Sequence, residues 1–117
     1  GFAVSVCTNK PEALAEVLLR ELGVRELFGA LVGADTLPVR KPDAAPYRAA
    51  VERAGGLVGR SMLVGDTETD AKTGVAAGVP VALVTFGPEG RGVERFDPAA
   101  LLDRYEDLPA LADRLVR

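Results

Sequence analysis

The chain contains no histidine and a single cysteine, Cys7, in 117 residues. The first absence excludes a His-based catalytic triad, a phosphohistidine acceptor and nearly every zinc or iron site that uses imidazole. The second excludes an intrachain disulfide and a four-thiolate metal site. With no basic side chain expected beside it, Cys7 reads as a small buried apolar residue. No apolar run approaches the roughly 18 to 20 residues needed to span a bilayer. Basic residues are scattered rather than clustered, and no basic n-region precedes Phe2 to mark a signal peptide. With 14 basic against 17 acidic residues the net charge is −3, which gives no electrostatic pull toward nucleic acid or an anionic membrane. The expectation is a cytoplasmic protein with no nucleic-acid and no membrane partner. Its chemistry is left to carboxylates, lysine, hydroxyls and backbone amides.

What is present suits one layered domain. Hydrophobic residues make up 48%, charged residues 26% and aromatics 5% of the chain, enough apolar surface for a core. Phe2–Cys7 is short, apolar and β-branched, as expected of a buried parallel strand. Thr8-Asn9-Lys10-Pro11 stops it and opens a helix, with Thr8 or Asn9 as N-cap and Leu14, Val17, Leu18 and Leu22 as its apolar stripe. Ala30–Gly33, Ser61–Val64 and Pro80–Val84 read as further strands. Helices are expected over about Asp43 to Ala54, Thr69 to Ala77 and Ala110 to Val116. Ala99–Tyr105 is compatible with either a strand or a helical turn. Strands alternating with helices predict an α/β fold with a parallel sheet.

In open parallel sheets, ligands bind at the carboxyl ends of the strands. Three polar clusters follow the predicted strands: Thr8-Asn9, Arg40-Lys41-Pro42, and Gly65-Asp66-Thr67-Glu68-Thr69-Asp70. Hydroxyls and helix N-terminal amides bind anion oxygens, and a lysine neutralises phosphate. A carboxylate pair suits Mg²⁺, which takes few protein ligands and keeps several waters. Gly65 leaves room for a ligand or metal near the backbone. Each cluster also has a plain structural reading. Thr8 and Asn9 serve as caps, Lys41 as a solvated loop residue, and Asp66 and Asp70 as turn and helix-start acids.

Taken in order, Thr8-Asn9-Lys10-Pro11, Lys41-Pro42-Asp43 with Pro46, and Gly65-Asp66-Thr67-Glu68-Thr69-Asp70 resemble motifs II, III and IV of the haloacid dehalogenase (HAD) superfamily. Val84-Thr85-Phe86-Gly87 and Tyr105-Glu106-Asp107-Leu108-Pro109 are similar to its phosphoglycolate phosphatase-like branch. The resemblance spans nearly the whole chain. It implies a three-layer Rossmann-like HAD core and a Mg²⁺-dependent phosphoric monoester hydrolase working through an aspartyl-phosphate intermediate on a small phosphorylated metabolite. Carried over, Thr8 donates to the transferring phosphoryl group and the Asn9 amide adds a second donor. Lys41 offsets the charge of phosphate and nucleophile. Asp66 contacts Mg²⁺ directly or through water, and Asp70 is its partner, also orienting Lys41. The implied catalytic set is Thr8, Lys41, Asp66 and Asp70. Thr8, Asn9 and Lys41 are its phosphate binders, and Asp66 and Asp70 its metal residues. Lys10, Thr67 and Glu68 receive no role.

The resemblance has one large departure. HAD enzymes carry their nucleophile in an Asp-x-Asp pair on the first strand, and this chain has no such pair. Its sequence starts where the family's second core strand starts. The resemblance therefore implies residues 1–117 to be a partial core domain, with motif I, the first strand and the cap lying upstream. Two expectations follow. The chain alone lacks phosphatase activity. Its sheet has a gap between the strands at Phe2–Cys7 and Ser61–Val64, which favours marginal stability, direct pairing of those strands, or self-association. Alternatives are an inactive remnant that binds phosphate or Mg²⁺, and another HAD branch such as a pyrophosphatase or a sugar-phosphate phosphatase. A receiver-like signalling module would need an acidic cluster on its first strand, which is absent.

Overall fold

The computed structural model describes residues 2–116, leaving out Gly1 and Arg117. The chain divides into two compact units, Gly1–Val58 and Gly59–Arg117. In the first, β1 (Ser5–Cys7) and β2 (Ala30–Val32) pair in parallel with Val6 opposite Leu31. The ladder continues beyond the strands, since Thr8 N donates to Val32 O and Gly29 N to Val4 O. Helix α1 covers Glu12–Glu21 and α2 covers Ala44–Arg53. All of β2 is buried, and α2 buries Pro46, Tyr47 and Ala50 while packing on both strands. Pro46 sits in the first turn of α2, where its missing N–H has no intrahelical role. Asp43 caps that helix, its Oδ1 accepting from Ala45 N at 2.8 Å.

Two expectations for this unit are corrected. β1 is shorter than Phe2–Cys7 and half-buried throughout, Cys7 included, with Phe2 and Val4 exposed. Its only partner among the described strands is β2, so one edge carries no ladder. The stripe of α1 is also exposed: Leu14, Val17, Leu18 and Leu22 lie between 44% and 64% accessible, and Ala15 is the buried position. Two three-residue strands offer too little sheet to cover the whole apolar face of a ten-residue helix.

In the second unit, β3 (Leu63–Gly65), β4 (Val81–Val84) and β5 (Ala100–Leu102) form a parallel sheet in that order. Leu83 is opposite both Gly65 and Leu101. The undecided segment therefore holds a strand, and a 3₁₀ turn at Tyr105–Asp107 leads into α4 (Leu108–Val116). Strand alternation sorts β4 between two faces. Ala82 and Val84 pack with Leu102 and Leu111 of α4, backed by Met62, Leu108 and Leu115. Helix α3 (Glu68–Ala77) covers the other face, where Gly74 lies so close to Val81 that a methyl group there would collide with its side chain. This gives the unit three layers. The outer edge of β3 has no strand partner among the described residues, and Val64 on it is exposed.

Gly33 sets the spacing in the first unit. A Cβ on it would fall 2.5 Å from Glu12 N and 2.8 Å from Lys10 O, so β2 reaches the start of α1 only because position 33 has no side chain. Those contacts are backbone and cannot rotate away. Gly33→Ala is expected to cost about 1–3 kcal/mol, read as a lower urea midpoint at unchanged slope; an unchanged midpoint would show that α1 is not anchored here.

Candidate functional site

Thr8-Asn9 and the 65–70 cluster lie at the ends of β1 and β3, while Arg40-Lys41-Pro42 lies further along the loop between β2 and α2. Thr8 and Asn9 follow β1, but neither caps α1. The helix starts at Glu12 with Pro11 as N-cap (φ −54°, ψ 141°), which leaves both residues too far upstream. The cap comes from elsewhere: Asp35 Oδ1, in the loop after β2, accepts from Glu12 N at 2.9 Å. Thr8 Oγ1 instead accepts from Lys10 N at 3.1 Å. That bond occupies a lone pair and leaves the hydroxyl hydrogen as a donor.

Asn9 and Lys41 are joined, although 32 residues separate them. Asn9 Nδ2 donates to Lys41 O at 3.1 Å, and Lys41 N donates to Asn9 Oδ1 at 3.2 Å. This reciprocal pair holds the backbone of Lys41, followed by a cis bond to Pro42, against the loop after β1. The carboxamide of Asn9 therefore positions the Lys41 backbone.

In the second unit the turn after β3 is built on Asp70, which is buried. Its Oδ2 accepts from Asp66 N (3.0 Å), Thr67 N (3.3 Å) and Thr67 Oγ1 (3.2 Å). Thr67 is the N-cap of α3 and Asp70 its third residue, so the carboxylate reaches back as in a capping box. Gly65 makes this possible, because a Cβ on it would overlap the Asp70 carboxylate. The space that glycine was expected to leave for a ligand is filled by Asp70.

Asp66 differs. Among the described residues no hydrogen bond or ion pair engages its carboxylate. The loop after β4 approaches it instead, and a Cβ on Gly87 would lie 3.0 Å from Asp66 Cβ. No group of three or more His, Cys, Asp or Glu side chains is assembled among the described residues. The donor chemistry suits a cation that takes one carboxylate and keeps its waters, as Mg²⁺ does. Asp66 is the fitting ligand, while Asp70 has one oxygen engaged by three donors and braces the turn that carries Asp66.

The family model for haloacid dehalogenase-like hydrolases matches residues 1–78, which include Thr8, Asn9, Lys41, Asp66 and Asp70. The chain belongs to this family. It is 41% identical over its full length to a phosphoglycolate phosphatase of Mesorhizobium japonicum, covering 52% of that protein. To the one of Cereibacter sphaeroides it is 42% identical over 99% of its length, again covering 52%. It thus spans about half the length of these relatives. A crystal structure described as a predicted phosphoglycolate phosphatase of Haemophilus somnus superposes with a TM-score of 0.84 at 26% identity, over 95% of this chain and 50% of that one. The fold is an α/β, Rossmann-like HAD core that is incomplete relative to these neighbours, and no described helix is long and apolar enough to cross a membrane.

One network in this HAD-like chain had no signal in the motifs. Asp103, just past β5, accepts from Thr85 Oγ1 at 2.7 Å and from Arg91 Nη1 at 2.8 Å. The ring of Phe86 meets that of Tyr105 edge-on, centroids 4.6 Å apart. Thr85-Phe86-Gly87 is visible in the sequence as a family-like string, but its partners come from another strand.

Two outcomes are expected. Asp70→Ala strands two backbone amides and a hydroxyl at the start of α3, and is expected to cost about 1–3 kcal/mol in urea unfolding. The Thr85 hydroxyl first, then the charges of Arg91 and Arg104, hold the Asp103 carboxyl below its ordinary value. A lowered folded-state value means that its contribution is present above the unfolded pKa and is lost as pH falls through the folded one. A ¹³C titration of Asp103 should therefore have its midpoint below that of an ordinary aspartate; a midpoint at or above the ordinary one would mean the Thr85 bond is not formed.

Proposed function

We propose that this chain is the phosphate- and cation-binding part of a Mg²⁺-dependent phosphoric monoester hydrolase of the phosphoglycolate phosphatase-like branch, acting on a small phosphorylated metabolite. The observation that carries this reading is the contrast between two carboxylates four residues apart. One oxygen of Asp70 takes three donors, and among the described residues the Asp66 carboxylate takes none. The names of relatives about 41% identical over the full chain support it.

The hydrogen bonds are compatible with these roles. Thr8, its oxygen already accepting from Lys10 N, donates its hydroxyl hydrogen to a phosphoryl oxygen. The Asn9 backbone amide adds a second donor. Lys41, its backbone clamped by Asn9, neutralises charge on the phosphate as it transfers. Asp66 holds Mg²⁺, which when bound supplies electrostatic stabilisation of the phosphoryl oxygens. Asp70 orients Asp66 through the turn between them.

The reaction proper needs a nucleophilic carboxylate. The phosphoryl group would pass from the ester oxygen to an aspartate, the alcohol leaving with a proton, and water would then cleave the acyl phosphate. Asp-x-Asp occurs nowhere in this sequence. Residues 1–117 are accordingly a partial core domain carrying motifs II, III and IV, working in the cytoplasm once joined to motif I and a cap. Open strand edges at β1 and β3 make self-association a further expectation of this reading.

The absent Asp-x-Asp pair also favours a second reading, a non-catalytic module that binds phosphate or Mg²⁺. The DNA upstream separates the two. An in-frame Asp-x-Asp after apolar residues means a truncated enzyme, and a genuine start codon at this point means a remnant. Under the first reading, the purified chain with Mg²⁺ should leave p-nitrophenyl phosphate intact yet bind Mg²⁺ calorimetrically, and Asp66→Asn should lose that binding. Turnover by the chain alone, or Mg²⁺ binding that survives Asp66→Asn, would overturn it.

A further inference from the structure

The loop after β4 has no assigned role, yet it is the part of the second unit that touches Asp66 from outside its own turn. Gly87 is its point of contact, close enough that a Cβ there would press on Asp66 Cβ at 3.0 Å. A bond from Gly90 N to Gly87 O (3.1 Å) closes the tip of the loop into a turn. Both feet of the loop stand on one atom, Oδ1 of Asp103: Thr85 Oγ1 donates to it at 2.7 Å and Arg91 Nη1 at 2.8 Å. Thr85 N also continues the ladder to Leu102 O at 3.0 Å, so the first foot is aligned with β5 before the side chains meet.

We propose that Asp103 is a positioning residue for Asp66: by gathering Thr85 and Arg91 it fixes the 85–91 loop, and through Gly87 that loop fixes the side chain of Asp66. The proposal rests on the reading of Asp66 as the cation ligand and extends it to a residue 37 positions away that touches neither cation nor phosphate.

Magnitude separates this role from a purely structural one. The Arg91–Asp103 pair is exposed, with side chains 64% and 57% accessible, and exposed pairs of this kind add little to stability. The core of this sheet, Ala82, Val84, Leu102 and Leu111, does not include Asp103. Removing the carboxylate should therefore release the loop without unfolding the unit.

The test compares Asp103→Ala, Thr85→Val and Thr85→Ser with the parent chain by ¹⁵N–¹H spectra, Mg²⁺ calorimetry and thermal melting. Asp103→Ala and Thr85→Val are expected to shift the amide signals of both Gly87 and Asp66. They should also weaken Mg²⁺ binding by about tenfold, the lower end of what supporting residues around a metal ligand cost, while the melting temperature stays within about 3 °C. Thr85→Ser keeps the hydroxyl and is expected to retain parental affinity. Unshifted Asp66 and Gly87 amides in Asp103→Ala, or an affinity loss that merely tracks a fall in melting temperature, would overturn the proposal. Asp66→Asn serves as the control for the underlying reading. If Mg²⁺ binding survives it, the assignment of the cation to Asp66 fails, and the amide signals of Asp66 and Gly87 alone decide whether Asp103 positions that residue.

Discussion

The carboxylate of Asp70 occupies the place where a side chain on Gly65 would be, and much of the second unit is organised around that fit. A buried carboxylate is costly unless it is hydrogen-bonded. Asp70 meets the condition by taking Asp66 N, Thr67 N and Thr67 Oγ1 on one oxygen. The same bonds satisfy amides at the start of α3 that have no helical partner. They also join the end of β3 to the start of α3 through a tight turn, in which no donor among the described residues directs the half-buried Asp66 carboxylate. Strand end, helix start and the presentation of Asp66 are one event.

The first unit uses the same device with different residues. Gly33 lets β2 run up against Glu12, and Asp35, two residues on, caps α1 from outside the helix. Asn9 clamps the backbone of Lys41 by a pair of bonds that no local turn supplies. In both units, then, side chains that titrate or carry amides do bracing work at the carboxyl ends of strands. Of the groups expected to meet substrate, Lys41 has its backbone held by Asn9, and Asp66 sits in the turn held by Asp70. Motif II, III and IV spacing in a HAD-like hydrolase is thereby a spacing of braces as much as of reactive groups.

Glycine and proline punctuation made the element pattern legible. Gly23 and Gly78 adopt the left-handed backbone just past the ends of α1 and α3, and Pro46 sits in the first turn of α2. The stripe of α1 lies on a helix as its spacing predicts yet is exposed, because periodicity reports an apolar face and not what covers it: Leu14, Val17, Leu18 and Leu22 all face solvent. Neither Thr8 nor Asn9 is the N-cap that local sequence suggests, because Asp35, 23 residues from the amide it caps, is invisible in a local window. Gly65 was read as room for a ligand, since a glycine beside acids carries no sign of which side chain will claim the space.

The sequence by itself determined the element pattern and the residue types that follow it. Histidine is absent, and the hydroxyl, lysine and carboxylates of Thr8, Lys41, Asp66 and Asp70 all come after predicted strands. Local backbone preference and side-chain chemistry suffice for that, because they depend on near neighbours. The tertiary structure alone decided that Asn9 clamps Lys41, that Asp35 caps α1, and that Asp103 gathers both ends of the loop touching Asp66. Those outcomes turn on which strands lie side by side, and hydrogen bonds between residues far apart in the chain exist only once the strands have paired.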